Sequence, residues 1–170
     1  LHSFPTRRSS DLGMTKRSLG YAETIQAEAI QVFTSNPRGW ATPEPNPAAD
    51  EEFRTKAAAM DIATYVHAPF LINLGSPTEG TYKNSLASTA YSLKRGKDIG
   101  ALGVVIHTGS AVDEGHVEKA WQQIHEGMMP ILEALPDDGP SLLLEPTAGQ
   151  GQSLVKKLDD LENYLNSKNE

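Results

Sequence analysis

Four short apolar runs, Ala29 to Phe33, Ile62 to His67, Leu102 to His107 and Ser141 to Glu145, alternate with longer segments whose apolar residues recur every three or four positions. Short runs bounded by turn chemistry read as strands, and the longer period between them reads as helix. The resulting order is α-β-α-β-α-β-α-β-α. Strands joined by single helices are parallel, with right-handed crossovers, because a parallel pair needs a long connection and the helix supplies it. The chain is therefore read as α/β, with about four parallel strands and flanking helices. A doubly wound sheet and half of an eight-stranded barrel both satisfy that alternation, and periodicity does not separate them. No Gly-x-Gly-x-x-Gly or Walker motif follows any of the runs, which argues against a dinucleotide or P-loop site.

The helical segments carry their own boundaries. Tyr21 to Ile25 closes one helix. A second is expected from a cap at Asp50 to about Met60, with Glu51 and Glu52 in the first turn, where the helix dipole favours negative charge. Between Lys83 and Ile99, Leu86, Ala90, Leu93 and Ile99 are spaced for a buried face, and Gly100 is read as the C-terminal stop. Asp113 and Glu114 open the next helix, which is expected to turn Val117, Ala120, Ile124, Met128, Ile131, Leu132 and Leu135 inward. A last helix is read from about Ser153, using Leu154, Leu158, Leu161 and Leu165.

Three of the strand-like runs end on residues that bind metals. His67, His107 and Glu145 recur at intervals of 40 and 38 residues, about the length of one strand-helix unit. Parallel strands deliver their last residues to one edge of the sheet, so ligands distant in sequence meet there. Taken singly, a strand-end His is more often a hydrogen-bonded structural residue. Two His and one Glu arriving together form the nitrogen and carboxylate set that suits zinc or manganese, with room left for water. The chain has no cysteine, which excludes disulfides and thiolate sites and is compatible with a cytoplasmic location.

The surroundings of the trio are less specific. Thr34-Ser-Asn-Pro-Arg-Gly-Trp40 reads first as a turn with Trp40 packed beneath it, and secondly as a rigid mount for Arg38 facing a phosphate-bearing ligand. Pro69-Phe-Leu-Ile72 places Phe70 and Leu71 in a loop, where apolar side chains can stack on or insert into a partner. Gly149-Gln-Gly151 would let backbone approach a ligand, and Ser110 has no assignable base partner. His116 and His125 read as solvent-facing or cap residues. A formal charge of −7 argues against a broad basic surface for nucleic acid, although bound divalent cations reverse a local field. No apolar stretch reaches the roughly 18 residues of a membrane span. Residues 1–12 fit no helix, strand or signal peptide and look like a translated sequencing adapter, so they are set aside from the fold.

Four segments in order, Phe33-Thr-Ser-Asn-Pro-Arg-Gly-Trp40, His67-Ala-Pro-Phe-Leu-Ile-Asn-Leu-Gly-Ser-Pro77, Val105-Ile-His-Thr-Gly-Ser110 and Leu143-Leu-Glu-Pro-Thr-Ala-Gly-Gln-Gly151, resemble the endonuclease IV family of apurinic/apyrimidinic endonucleases. The resemblance runs from about Leu19 to the end and implies residues 13–170 form the N-terminal part of a (β/α)8 TIM barrel. It implies zinc, three ions in the full-length enzyme and at most one complete site here, and cleavage 5′ to abasic sites in double-stranded DNA. His67 and His107 would hold the first ion, and Glu145, the catalytic carboxylate, would bridge it to a second. Asn36, Arg38, Phe70 and Leu71 would contact the DNA. The full-length protein is expected to be a monomer, with no membrane role. Phe70 stands for a family tyrosine and Pro146 for a common asparagine. The family's first strand and its later Asp, His and Glu ligands have no counterpart in these residues, so the expectation is a chain inactive as written, with open sheet edges and poor solubility. A sugar isomerase or epimerase on a related metal-binding barrel, and a non-catalytic barrel fragment, are the alternatives.

Overall fold

The structure, a computed structural model, describes residues 15–147 and 151–161. A π-helical turn at Thr15–Leu19 leads into α1 (Gly20–Ile25), followed by β1 (Ala29–Val32), α2 (Pro47–Ala59), β2 (Ala63–His67), α3 (Glu79–Asp98) and β3 (Gly103–His107). A 3-10 turn at Glu114–His116 then enters α4 (Val117–Glu133), and β4 (Ser141–Glu145) completes the sheet. Residues 159–161 begin a further helical turn. The expectations for residues 1–12, Gly149, Gln150 and Leu165 fall outside the described residues.

All three strand pairings are parallel, and the spatial order β1-β2-β3-β4 follows the chain. That order separates the two architectures left open above. A doubly wound sheet must reverse its strand order, whereas sequential order with crossovers of one hand keeps every helix on one face, as in a barrel wall. Register confirms the sidedness: Val32 lies beside Val66, and Val104 beside Val66 on the other side. These residues and Ile106 are buried in one cluster with Phe53 and Ala57 of α2, Leu93 of α3, and Ala120, Ile124 and Met128 of α4. The alternate positions, Gln31, Tyr65, Val105, His107, Leu143 and Glu145, belong to the opposite face and stay partly or fully exposed. A four-stranded arc covered by helices on its convex side is what the α/β rhythm produces when every crossover goes the same way.

Several helix expectations shift. α2 begins at Pro47 rather than at Asp50: Asn46 Oδ1 accepts from the Ala49 N–H at 3.3 Å, and Pro47 suits the first turn because its missing N–H has no partner to lose there. Asp50 instead points inward to Arg95. In α3 the buried stripe is Ser85, Ser88, Thr89, Ser92, Leu93, Arg95 and Gly96, while Ala90 is exposed. Small side chains let this helix approach the sheet closely, and a hydrophobic count overlooks such a face. Leu132 is exposed on α4, where Ala120, Ile124 and Met128 carry the burial. Leu154 is buried before the last helical turn starts, and Leu158 is exposed.

Candidate metal centre

β2, β3 and β4 end on His67, His107 and Glu145, and the parallel register places His107 directly beside Glu145. His67 Nε2 lies 3.1 Å from Glu145 Oε2, and His107 Nε2 lies 3.8 Å from the same oxygen. One ligand atom from each of the three falls within 4.8 Å of the others. Donors bound tetrahedrally at about 2.1 Å from a zinc ion stand roughly 3.4 Å apart, so the observed separations bracket those of a metal-binding trio.

The hydrogen-bond chemistry points the same way. His67 Nδ1 lies 2.7 Å from the Ala68 carbonyl, which only accepts, so Nδ1 carries a proton and donates. Nε2 of that ring then faces a carboxylate oxygen and calls for a cation between them, either a proton or a metal. Fixing the outer ring nitrogen with a carbonyl is how proteins orient a ligating imidazole. At His107, burial pushes the imidazole below the usual histidine range; the Glu145 carboxylate opposes this and His67 adds to it. A neutral imidazole is the form that ligates metals.

Aromatic rings wall the trio. The His67 and His107 rings are edge-on at 5.2 Å, and Phe70 lies nearly parallel to His107 with centroids 5.8 Å apart. Phe33 packs against His67 at 5.4 Å and edge-on to Phe70 at 5.2 Å. Phe33 is the residue that the sequence reading passed over. Its signal was present, because it directly follows β1 and so reaches the same edge as His67.

Two loops border the trio, one after β1 and one after β2. Asn36 Oδ1 accepts from the Arg38 N–H at 3.0 Å, an Asx turn that holds both residues at the surface. The Phe70 N–H donates to the Pro37 carbonyl at 2.9 Å, so the Arg38 turn and the Phe70 loop form one rim beside the trio. Phe70 and Leu71 are exposed there, at 46% and 38%. Trp40 packs partly buried against the core. His116 and His125 are both part-buried and stand apart from the cluster.

A family model described as a xylose isomerase-like TIM barrel matches residues 19–169. The chain belongs to that family. Within the xylose isomerase-like barrels it is 53% identical over 154 residues to a probable endonuclease 4 of Streptomyces avermitilis, a match covering 90% of this chain and 50% of the relative. Identity to a probable endonuclease 4 of Mycobacterium tuberculosis is 32% over 143 residues, covering 84% and 53%. Endonuclease IV from Thermus thermophilus superposes with a TM-score of 0.79 at 27% identity, over 94% of this chain and 56% of that one. A D-tagatose 3-epimerase-like protein superposes at 0.70 with 17% identity, covering 94% and 60%, which is a likeness of fold. The resemblance to endonuclease IV and the partial-barrel architecture both hold. This chain spans about half the length of the curated relatives it matches.

Proposed function

We propose that this chain forms the zinc-binding portion of a DNA-repair endonuclease that cleaves the phosphodiester 5′ to abasic sites in duplex DNA. The observation that carries the reading is the trio His67, His107 and Glu145 at the strand ends of a barrel wall whose relatives include probable endonuclease 4. Zinc bound there would polarise a phosphoryl oxygen and make water nucleophilic at neutral pH.

The remaining work belongs to the chain's own groups. His67 and His107 present ring nitrogens, with His67 oriented by the Ala68 carbonyl. Glu145 turns Oε2 toward both histidines and keeps its side chain half-exposed, which leaves the carboxylate able to serve a second cation as well as the first. Arg38, exposed on its Asx turn, supplies positive charge to a phosphate backbone that would otherwise meet a chain of net charge −7. Asn36 shapes that turn. Phe70 and Leu71 stand beside the trio as apolar side chains fit to enter a base step, where an abasic site offers the least stacking to displace. Full-length protein is proposed to act as a monomer. The 170-residue chain by itself is proposed to bind one zinc ion without incising DNA.

The test is incubation of the full-length parent with a duplex carrying one abasic site, with and without chelator. Expected is metal-dependent incision that leaves a 3′-hydroxyl. Absence of incision, or incision indifferent to chelator, would sink the reading, and metal-dependent turnover of a ketose would transfer it to the isomerases.

A further inference from the structure

Asn73 lies six residues beyond His67, in the loop that also carries Phe70 and Leu71. Its Oδ1 accepts two backbone bonds, from the Gly75 N–H at 3.1 Å within its own loop and from the Ser110 N–H at 2.9 Å in the loop after His107. Two donors converging on one atom fix which end of the amide faces them, since the NH2 group accepts nothing. From behind, the Asn73 N–H donates to Ser85 Oγ at 2.9 Å, and that hydroxyl donates to the Thr81 carbonyl at 2.7 Å, which anchors the residue on α3.

The contact is close on both sides. A Cβ at Gly109 would stand 2.6 Å from Asn73 Oδ1, and Gly109 has φ +80°, so only glycine suits that position. A Cβ at Gly75 would stand 3.0 Å from the Ser110 carbonyl. The same short segment is stitched to the chain that follows β4, by Leu154 N–H to the Gly109 carbonyl at 3.1 Å and Ala111 N–H to the Gln152 carbonyl at 3.0 Å. The ladder between β2 and β3 runs out at His67 and Val105, and the Ala68 N–H makes one more bond to Val105. Beyond that, among the described residues, the Asn73 side chain is the hydrogen-bonded tie between the loops that follow two of the three metal-ligand candidates.

We infer that Asn73 is a positioning residue: through Oδ1 it sets the spacing of the Phe70 loop against the loop after His107. It thereby sets both the alignment of His107 with His67 and Glu145 and the seat of Phe70 on the His107 ring. The zinc arm of this inference rests on the metal reading proposed above, and the loop arm does not. Groups that hydrogen-bond a ligating side chain directly, once removed, weaken metal affinity about 10–100-fold, and Asn73, which acts one step further out through backbone N–H groups, is expected at the lower end of that range.

The experiment compares the 170-residue chain at low micromolar concentration with Asn73→Ala, Asn73→Asp and Gly109→Ala. Hydrogen exchange is read on peptides spanning 73–76 and 108–112, and zinc affinity by competition with a chromophoric chelator. Asn73→Asp keeps an acceptor of the same shape, whereas Gly109→Ala drives the acceptor out from the other side. Expected are roughly tenfold faster exchange in both peptides and about tenfold weaker zinc binding for Asn73→Ala and Gly109→Ala, with Asn73→Asp close to wild type. Faster exchange with unchanged zinc affinity would overturn the positioning role, and failure of Asn73→Asp to restore either readout would overturn the acceptor account. Should Asn73→Ala not fold, the Asn73→Asp and Gly109→Ala pair decides. Should the wild type bind no zinc, the metal reading falls, and exchange alone decides whether Asn73 couples the loops.

Discussion

A strand-end histidine means little by itself, and the value of His67 and His107 comes from what stands opposite them. Glu145 Oε2 meets both imidazoles, so removal of one ring leaves a carboxylate facing a single nitrogen. His107→Ala is expected to weaken zinc binding by more than about 100-fold, beyond the effect of losing a supporting group, as measured by chelator competition. The residue types were legible in the sequence, while the Nδ1–H donated by His67 to the Ala68 carbonyl was not, because a neighbour's carbonyl direction depends on how the chain leaves the strand. Val112 shows strain of the same hidden kind. It is a β-branched residue at φ +68°, a conformation costly for side chains branched at Cβ, and it is more than half exposed. Val112→Asn should raise unfolding free energy by about 1 kcal/mol, because asparagine tolerates that region and little packing is lost. Urea denaturation would measure it, and a decrease would show that the valine contributes contacts worth more than its strain.

At the scale of elements, the joint between α2 and α3 is electrostatic. Arg95 donates from Nη1 and Nη2 to the two carboxylate oxygens of Asp50, at 2.5 and 2.6 Å, with both residues nearly inaccessible to water. The carboxylate raises the guanidinium pKa further, burial opposing it, and Asp98 adds a contact at 3.1 Å. Removing one partner strands a buried charge, so Asp50→Ala should destabilise by about 3–5 kcal/mol, whereas Asp50→Leu with Arg95→Met should cost far less. Urea unfolding of the single and double variants checks this, and a double-variant loss equal to the sum of the two single losses would mean that the pair is not coupled. The approach of α3 to the sheet is set by Gly96, where a Cβ would stand 2.8 Å from Val104 Cγ2 and 3.2 Å from Pro140 Cγ. Gly96→Ala gains about 1 kcal/mol in helix propensity but forces a stiff, fully buried valine to move, at about 1–3 kcal/mol. Net destabilisation is expected in thermal unfolding. Strand positions were readable because alternation and β-branching repeat within each strand. The buried face of α3 was not, since Ser85, Ser88, Thr89 and Ser92 look like a solvated face until the sheet is in place. Asp50 was misread for the same reason: beside Glu51 and Glu52 it resembles a cap, and its true partner lies 45 residues away.

On the scale of the whole molecule, the sheet has two edges among the described residues, β1 and β4, and an inner face where Leu143 and Phe33 are each more than a third exposed. Unpaired strand edges and exposed apolar side chains favour self-association. Light scattering on the isolated chain should show mass rising with concentration, and a monodisperse monomer up to high concentration would contradict this. The sequence by itself determined the four strands, their parallel order of succession, and the three residues able to bind a metal, because those follow from local period, turn chemistry and side-chain type. Only the tertiary structure decided that the strands lie in chain order as a barrel wall, that Nε2 of each histidine faces one carboxylate oxygen, and that Asn73 ties their loops together. Those are relations between groups separated by tens of residues. Their distances are set by crossover handedness, helix packing and loop closure acting at once, which no local pattern in the chain encodes.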